Sequence, residues 1–180
     1  RSVYINGEYK GFMGLREKSD EDYVWANYNG LDEIEMIELL DATEPASFLE
    51  LRNAIVLENI PYEKAALYID MANTADIIAI NIICANMDWP YNNVSMWRPV
   101  AEGGKWRWIM KDMDMIGSSF RCEDAWTFNY LKYLTNIGEP NSQEYSIHQS
   151  WPWIWPRLQI IGKLLNMPKF RDALVDRLVV

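Results

Sequence analysis

Histidine is almost missing: His148 is the only one in 180 residues. A Ser–His hydrolase would have to use that single imidazole as its base, and no G-x-S-x-G accompanies it. Cysteine is scarce too. Cys84 and Cys122 form no C-x-x-C pair, and their spacing fits no zinc pattern. Cys84 lies among Ile82, Ile83 and Ala85 and reads as a buried apolar thiol. There is no basic run. Duplex binding relies on Lys and Arg to displace counterions, so nucleic acid is not an expected partner. Long apolar runs are also lacking. The stretch from Ile77 to Ala85 is too short to span a bilayer, and no signal or transit peptide is visible. The chain opens on Arg1-Ser2-Val3-Tyr4 without an initiator Met, and is expected to be part of a longer protein.

What is present is a globular composition. Apolar residues make up 49% and aromatics 13%, enough for one domain with a real core. Nine tryptophans suit either a deep core or a groove lined with flat rings. The formal net charge of −9 favours basic peptides or metal ions as partners.

Val3 to Ile5, the Asn6-Gly7 pair and Glu8 to Lys10 predict a β-hairpin, because Asn-Gly supplies the positive φ angles of a type I′ turn. The second strand is expected to run on through Leu15, its glycines marking a close approach or a bulge. Ser19 or Asp20 can cap a helix through Asp22 to Asn27, which Asn29-Gly30 stops. Asp32 to Leu40 suits strand or helix. Short helices are expected at Phe48 to Arg52 and Tyr62 to Tyr68. Asp70 then caps the best helix, with Met71, Ala75, Ile78, Ile82 and Ala85 on one face, ending near Asn86 ahead of Trp89-Pro90. Two alternating strands follow, Val94 to Val100 and Lys105 to Met110, joined by Glu102-Gly103-Gly104. Thr127 to Thr135 reads as helical and Asn136 to Trp153 as irregular. Two helices, Arg157 to Leu165 and Lys169 to Val179, close the chain. Hairpin, helices, hairpin, helices is an α+β order. The expected division is a smaller part over 1–40 and a helical part over 41–180, in one compact unit.

The chemistry concentrates between Asn86 and Asp114. Phosphoryl transfer needs divalent ions to neutralise the phosphates, and hard cations take Asp carboxylates and Asn amides. It also needs a carboxylate facing the attacking hydroxyl. Protein kinases use a loop Asp, an Asn five residues later, and another Asp after a short hairpin. Asp88, Asn93, a strand–turn–strand unit and Asp112 follow that order. Strand alternation would put Asp112, and Asp114 if the strand continues, on the face of Trp108 and Met110. The plainer alternative is a polar turn after a helix, since Asp, Asn and Pro all favour turns. Asn93-Val94-Ser95 matches a glycosylation acceptor, a triplet common by chance. Trp151-Pro152-Trp153-Ile154-Trp155-Pro156 reads as core packing before a stacking platform, and Met110, Met113 and Met115 as gap fillers.

Asn86-Met87-Asp88-Trp89-Pro90-Tyr91-Asn92-Asn93, Trp97-Arg98 and Trp106-Arg107-Trp108-Ile109-Met110-Lys111-Asp112-Met113-Asp114 together resemble the CotH (spore coat protein H) kinase family. The hairpin from Tyr4 to Gly11 running into Leu15-Arg16-Glu17-Lys18 resembles that family's early motif, and Leu165 to Arg171 its closing segment. The resemblance implies a divergent protein-kinase-like fold, mostly the helical C-terminal lobe with a remnant hairpin of the N-terminal lobe. It implies ATP with Mg²⁺ or Mn²⁺ as cofactor, and a Ser/Thr protein substrate of a spore coat or cell surface, outside the cytoplasm. Asp88 would be the catalytic Asp, Asn93 and Asp112 metal ligands, and Asp114 a support for a second ion. Arg16, Glu17 and Lys18 would lie near the phosphates, with Arg16 or Lys18 supplying the cation. The acidic charge suits a basic, Ser-rich substrate. No Gly-rich phosphate loop precedes Val3, which leaves a pseudokinase, or a surface module with a Trp-rich groove for peptide or glycan, as the alternative.

Overall fold

The computed structural model describes residues 2–14, 17–38, 44–86, 88–90, 92–114, 116–118, 129–135 and 155–179. Contacts divide the chain into two units, 1–32 and 33–180.

The smaller unit opens with the expected hairpin. Strands β1 (Ser2–Ile5) and β2 (Glu8–Phe12) pair antiparallel around Asn6 and Gly7, both at positive φ. The register shifts between Val3 and Tyr4, opposite Gly11 at φ 100°, so the glycine does mark a bulge. Strand β2 stops at Phe12 and does not reach Leu15, because Ser2–Phe12 is the last pair and the chain beyond has no partner strand in the hairpin. Helix α1 (Glu21–Asn27) starts where Asp20 accepts a hydrogen bond from the Tyr23 N–H, with Glu21 and Asp22 favourably placed in its first turn.

The larger unit is built on a three-stranded antiparallel sheet in the order β3 (Ile34–Glu38), β4 (Ser95–Pro99), β5 (Arg107–Ile109). Within the segment with two readings, Asp32 to Leu40, Ile34–Glu38 is thus a strand, and that strand belongs to this unit. The β4–β5 turn depends on Gly104, where a Cβ would sit 2.1 Å from the Pro99 carbonyl oxygen. Helix α2 (Ala46–Arg52) widens into a π turn over Asn53–Leu57, and α3 is the short Tyr62–Ala65, ending before the expected Tyr68. Helix α4 (Met71–Ile83) begins at the expected Asp70 cap. Short α5 (Tyr130–Thr135) lies in the segment expected to be helical. Helices α6 (Trp155–Leu165) and α7 (Pro168–Leu178) follow, with Pro168 in the first turn, where its missing N–H costs nothing.

Helix α4 is the centre of the core. Ala75 and Ile78 are fully buried, and α7 packs along α4 through Phe170 and Leu174. The seam with β5 carries paired polar contacts from Asn73 and Thr74. Asn73 donates to the Trp108 carbonyl at 3.2 Å and accepts from its N–H at 2.6 Å, standing in for a strand partner. Trp108 also donates its indole N–H to Thr74 Oγ1 at 3.2 Å. Trp89, Trp97, Trp106 and Trp108 are all at least 97% buried, so these four rings form core rather than an open groove. Cys84 departs from expectation: it caps the end of α4 and is only half-buried, because the helix face turns outward there. Cys122, His148 and the cluster from Trp151 to Trp153 lie outside the described residues.

Candidate active site

The loop after α4 turns back on itself around one carboxylate. Asp88 is buried, and its Oδ2 accepts from Asn93 Nδ2 at 2.8 Å and from Asn92 Nδ2 at 3.1 Å. The Asp88 carbonyl accepts the Asn92 N–H at 2.7 Å, closing the loop. Asn93 reaches Asp88 because its backbone is left-handed, φ 57°, a conformation Asn tolerates better than most residues. The base of the loop is core: Trp89 packs edge-on against Trp108 at 5.8 Å, and the Tyr130 hydroxyl donates to the Trp89 carbonyl at 2.5 Å.

The second half of the site is the exit of β5. The strand ends at Ile109, and Asp112 has φ 43°. The expected strand face shared by Trp108, Met110, Asp112 and Asp114 therefore does not extend past Met110, since a left-handed residue breaks the alternation. Lys111 anchors this exit by donating to Glu38 Oε1 at 2.9 Å and Ser95 Oγ at 3.3 Å. Asp112 and Asp114 are exposed. The two halves meet at Asn86, whose Oδ1 accepts the Asp88 N–H at 3.3 Å while its Nδ2 lies 3.5 Å from Met113 Sδ. The Gly117 N–H donates to the Cys84 carbonyl at 2.8 Å, so the chain after Asp112 runs beside the end of α4.

Asp88 and Asn93 are thus in direct contact, and the segment bearing Asp112 and Asp114 is held against the same loop. Among the described residues no three His, Cys, Asp or Glu side chains gather as a metal cluster. A cation here would rely on the Asn93 amide oxygen beside carboxylate. The Asn93 amide commits its nitrogen to Asp88, so its oxygen is the atom of that side chain with which a hard cation would have to be met.

Glu17 and Lys18 lie in the smaller unit. Glu17 Oε1 accepts from Asn27 Nδ2 at 3.2 Å, and Lys18 pairs with Asp20 Oδ2 at 2.9 Å. That Lys18 hydrogen bond holds the Asp20 carboxyl below its ordinary value, with the Tyr23 N–H adding to it. Both lie beyond the end of β2, and Arg16 is outside the described residues. Sequence reasoning passed over Asn73, Asn81 and Lys111. The signal for Asn81 was present: a lone amide inside the apolar run of α4 needs a buried partner.

The sequence model of a family described as CotH kinase protein matches residues 46–179. No curated protein and no solved structure matches the chain.

Proposed function

The chain belongs to the CotH kinase protein family, and on that premise we propose that it carries the catalytic part of an ATP-dependent protein kinase with a divergent kinase-like fold, which phosphorylates Ser or Thr hydroxyls of a surface or spore-coat-like protein. The observation that carries the reading is the Asp88 loop: a buried carboxylate held at 2.8 Å by an Asn five residues on, with a second acidic segment tied to its base.

ATP with Mg²⁺ or Mn²⁺ supplies the transferable phosphoryl group and the charge to neutralise its oxygens. Asp88 orients the substrate hydroxyl and takes its proton. The Asn92 and Asn93 amides fix which way its carboxylate faces. Asn93 and Asp112 are the cation ligands, and Asp114 supports a second ion. Trp89 and Trp108 keep the underside of the loop dry, which strengthens the electrostatics above it. The net charge of −9 favours a basic, Ser-rich substrate.

A pseudokinase is the second reading, favoured by the Lys18–Asp20 pair, which engages an ammonium expected at the phosphates. The deciding test is a Mg²⁺-dependent thermal shift with ATP together with phosphate transfer to basic Ser-containing peptides. The kinase reading expects both, and expects Asp88→Ala to lower kcat by roughly 10²–10⁴-fold while the melting temperature holds. ATP binding without transfer selects the pseudokinase, and neither response overturns both.

A further inference from the structure

Asn81 is fully buried on α4, between Ile80 and Ile82 and one turn from Ile77 and Ile78. Its Nδ2 donates to the Ile77 carbonyl at 2.8 Å, and its Oδ1 accepts from Asn86 Nδ2 at 2.8 Å. Its own carbonyl accepts the Asn86 N–H at 3.0 Å. Asn86, 1% exposed, passes the connection on in two directions. Its Oδ1 takes the Asp88 N–H, and its Nδ2 also meets Met113 Sδ. An apolar side chain at 81 would serve the helix better, and the turn at 86–88 needs only an oxygen acceptor at 86. Neither local need explains two buried amides facing each other. What requires both is a rigid join among three segments: α4, the Asp88 loop and the exit of β5.

We propose that Asn81 and Asn86 are positioning residues, a buried amide relay that sets the spacing between Asp88 and the segment carrying Asp112. The catalytic part of this rests on the kinase reading above, and the structural part does not. Buried amides suit the task because each has few alternative arrangements once its donors and acceptors are committed. A loosened relay leaves ATP with its contacts but lets the acidic segment drift from the carboxylate that orients the hydroxyl. Misplacement of that kind lowers kcat more than it raises KM.

The test uses the whole chain with three substitutions at the relay. Asn81→Leu fills the site but removes the partner of Asn86. Asn86→Ser keeps an oxygen for the Asp88 N–H, and its shorter hydroxyl loses the reach of the amide to Asn81 Oδ1 and Met113 Sδ. Asn86→Ala loses both. Hydrogen exchange by mass spectrometry is read in peptides covering 86–93, 110–118 and 71–78. Asn81→Leu and Asn86→Ser are expected to speed exchange about threefold to tenfold in the first two peptides and to leave 71–78 unchanged. They are also expected to lower kcat about 10²-fold, with KM for ATP little altered. Unchanged exchange at 110–118 in Asn81→Leu overturns the relay. So does full kcat in Asn86→Ser beside a dead Asn86→Ala, which would assign Asn86 to the local turn alone. If the amide variants fail to fold, Met113→Leu removes only the sulfur contact at near-constant volume, and exchange at 110–118 decides the matter. If the wild type transfers no phosphate, the kinase reading fails while the exchange measurement still judges the relay.

Discussion

Two side chains assigned to the cation, Asn93 and Asp112, both have left-handed backbones, at φ 57° and 43°. An alanine at either position would mix lost chemistry with backbone strain. Asn93→Gly relieves the strain and removes only the side chain. The expected outcome is loss of most phosphate transfer at an almost unchanged melting temperature, read by labelling and calorimetry side by side. Asp112→Asn keeps a residue that accepts this φ and removes the charge, and should raise the Mg²⁺ concentration needed for half-maximal activity at least roughly tenfold. Asp88 and Asn93 touch each other, because a five-residue Asp–Asn loop has few ways to close. The strand face expected for Asp112 is not formed, because period-2 alternation assumes the strand continues, and β5 ends at Ile109, ahead of the left-handed Asp112. Buried Asn81 was legible only as an oddity, since its partner is defined by folding.

The best-read elements were those with a cap or a turn residue to bound them. Asp70 marked the start of α4, Asn6-Gly7 the first hairpin, and Gly103-Gly104 the second. The ends of α3 and β2 were overestimated, because apolar content continued after hydrogen-bonding partners ran out. The α4–β5 seam could not be read at all, since Asn73 acts as a strand partner across 35 positions of sequence. Asn73→Ala should cost about 1–3 kcal/mol by leaving the Trp108 backbone groups unpaired, measurable in a urea titration. A second tie joins α3 to α7 through Glu63 and Lys169. The Lys169 hydrogen bond lowers the Glu63 pKa, and Glu63 in turn raises that of Lys169. A lowered acid contributes stability above its unfolded pKa and loses it as pH falls through the folded one. A raised base contributes below its unfolded pKa and loses it as pH rises through the folded one. The gap in melting temperature between wild type and Glu63→Gln should therefore be widest near neutrality and close toward acid and strong alkali, and added salt should shrink it because both groups are exposed.

For the molecule as a whole, α+β was legible from the order of patterns, while the division into units was not. The boundary falls at 32/33 because β3 pairs with β4, a partner far along the chain. Of the described residues in the smaller unit only Val24 is buried, and Tyr4, Tyr9, Phe12 and Trp25 are exposed. A peptide of residues 1–32 should thus show little ordered structure by circular dichroism, whereas a chain beginning at residue 33 should melt cooperatively. Gly104 affects how any catalogue of tolerated changes in this chain would read. With the Pro99 oxygen occupying the place of a side chain, random mutagenesis followed by selection would return glycine alone at that codon. The position would look as indispensable as Asp88 while touching no substrate, and its intolerance would report crowding inside a hairpin, not chemistry.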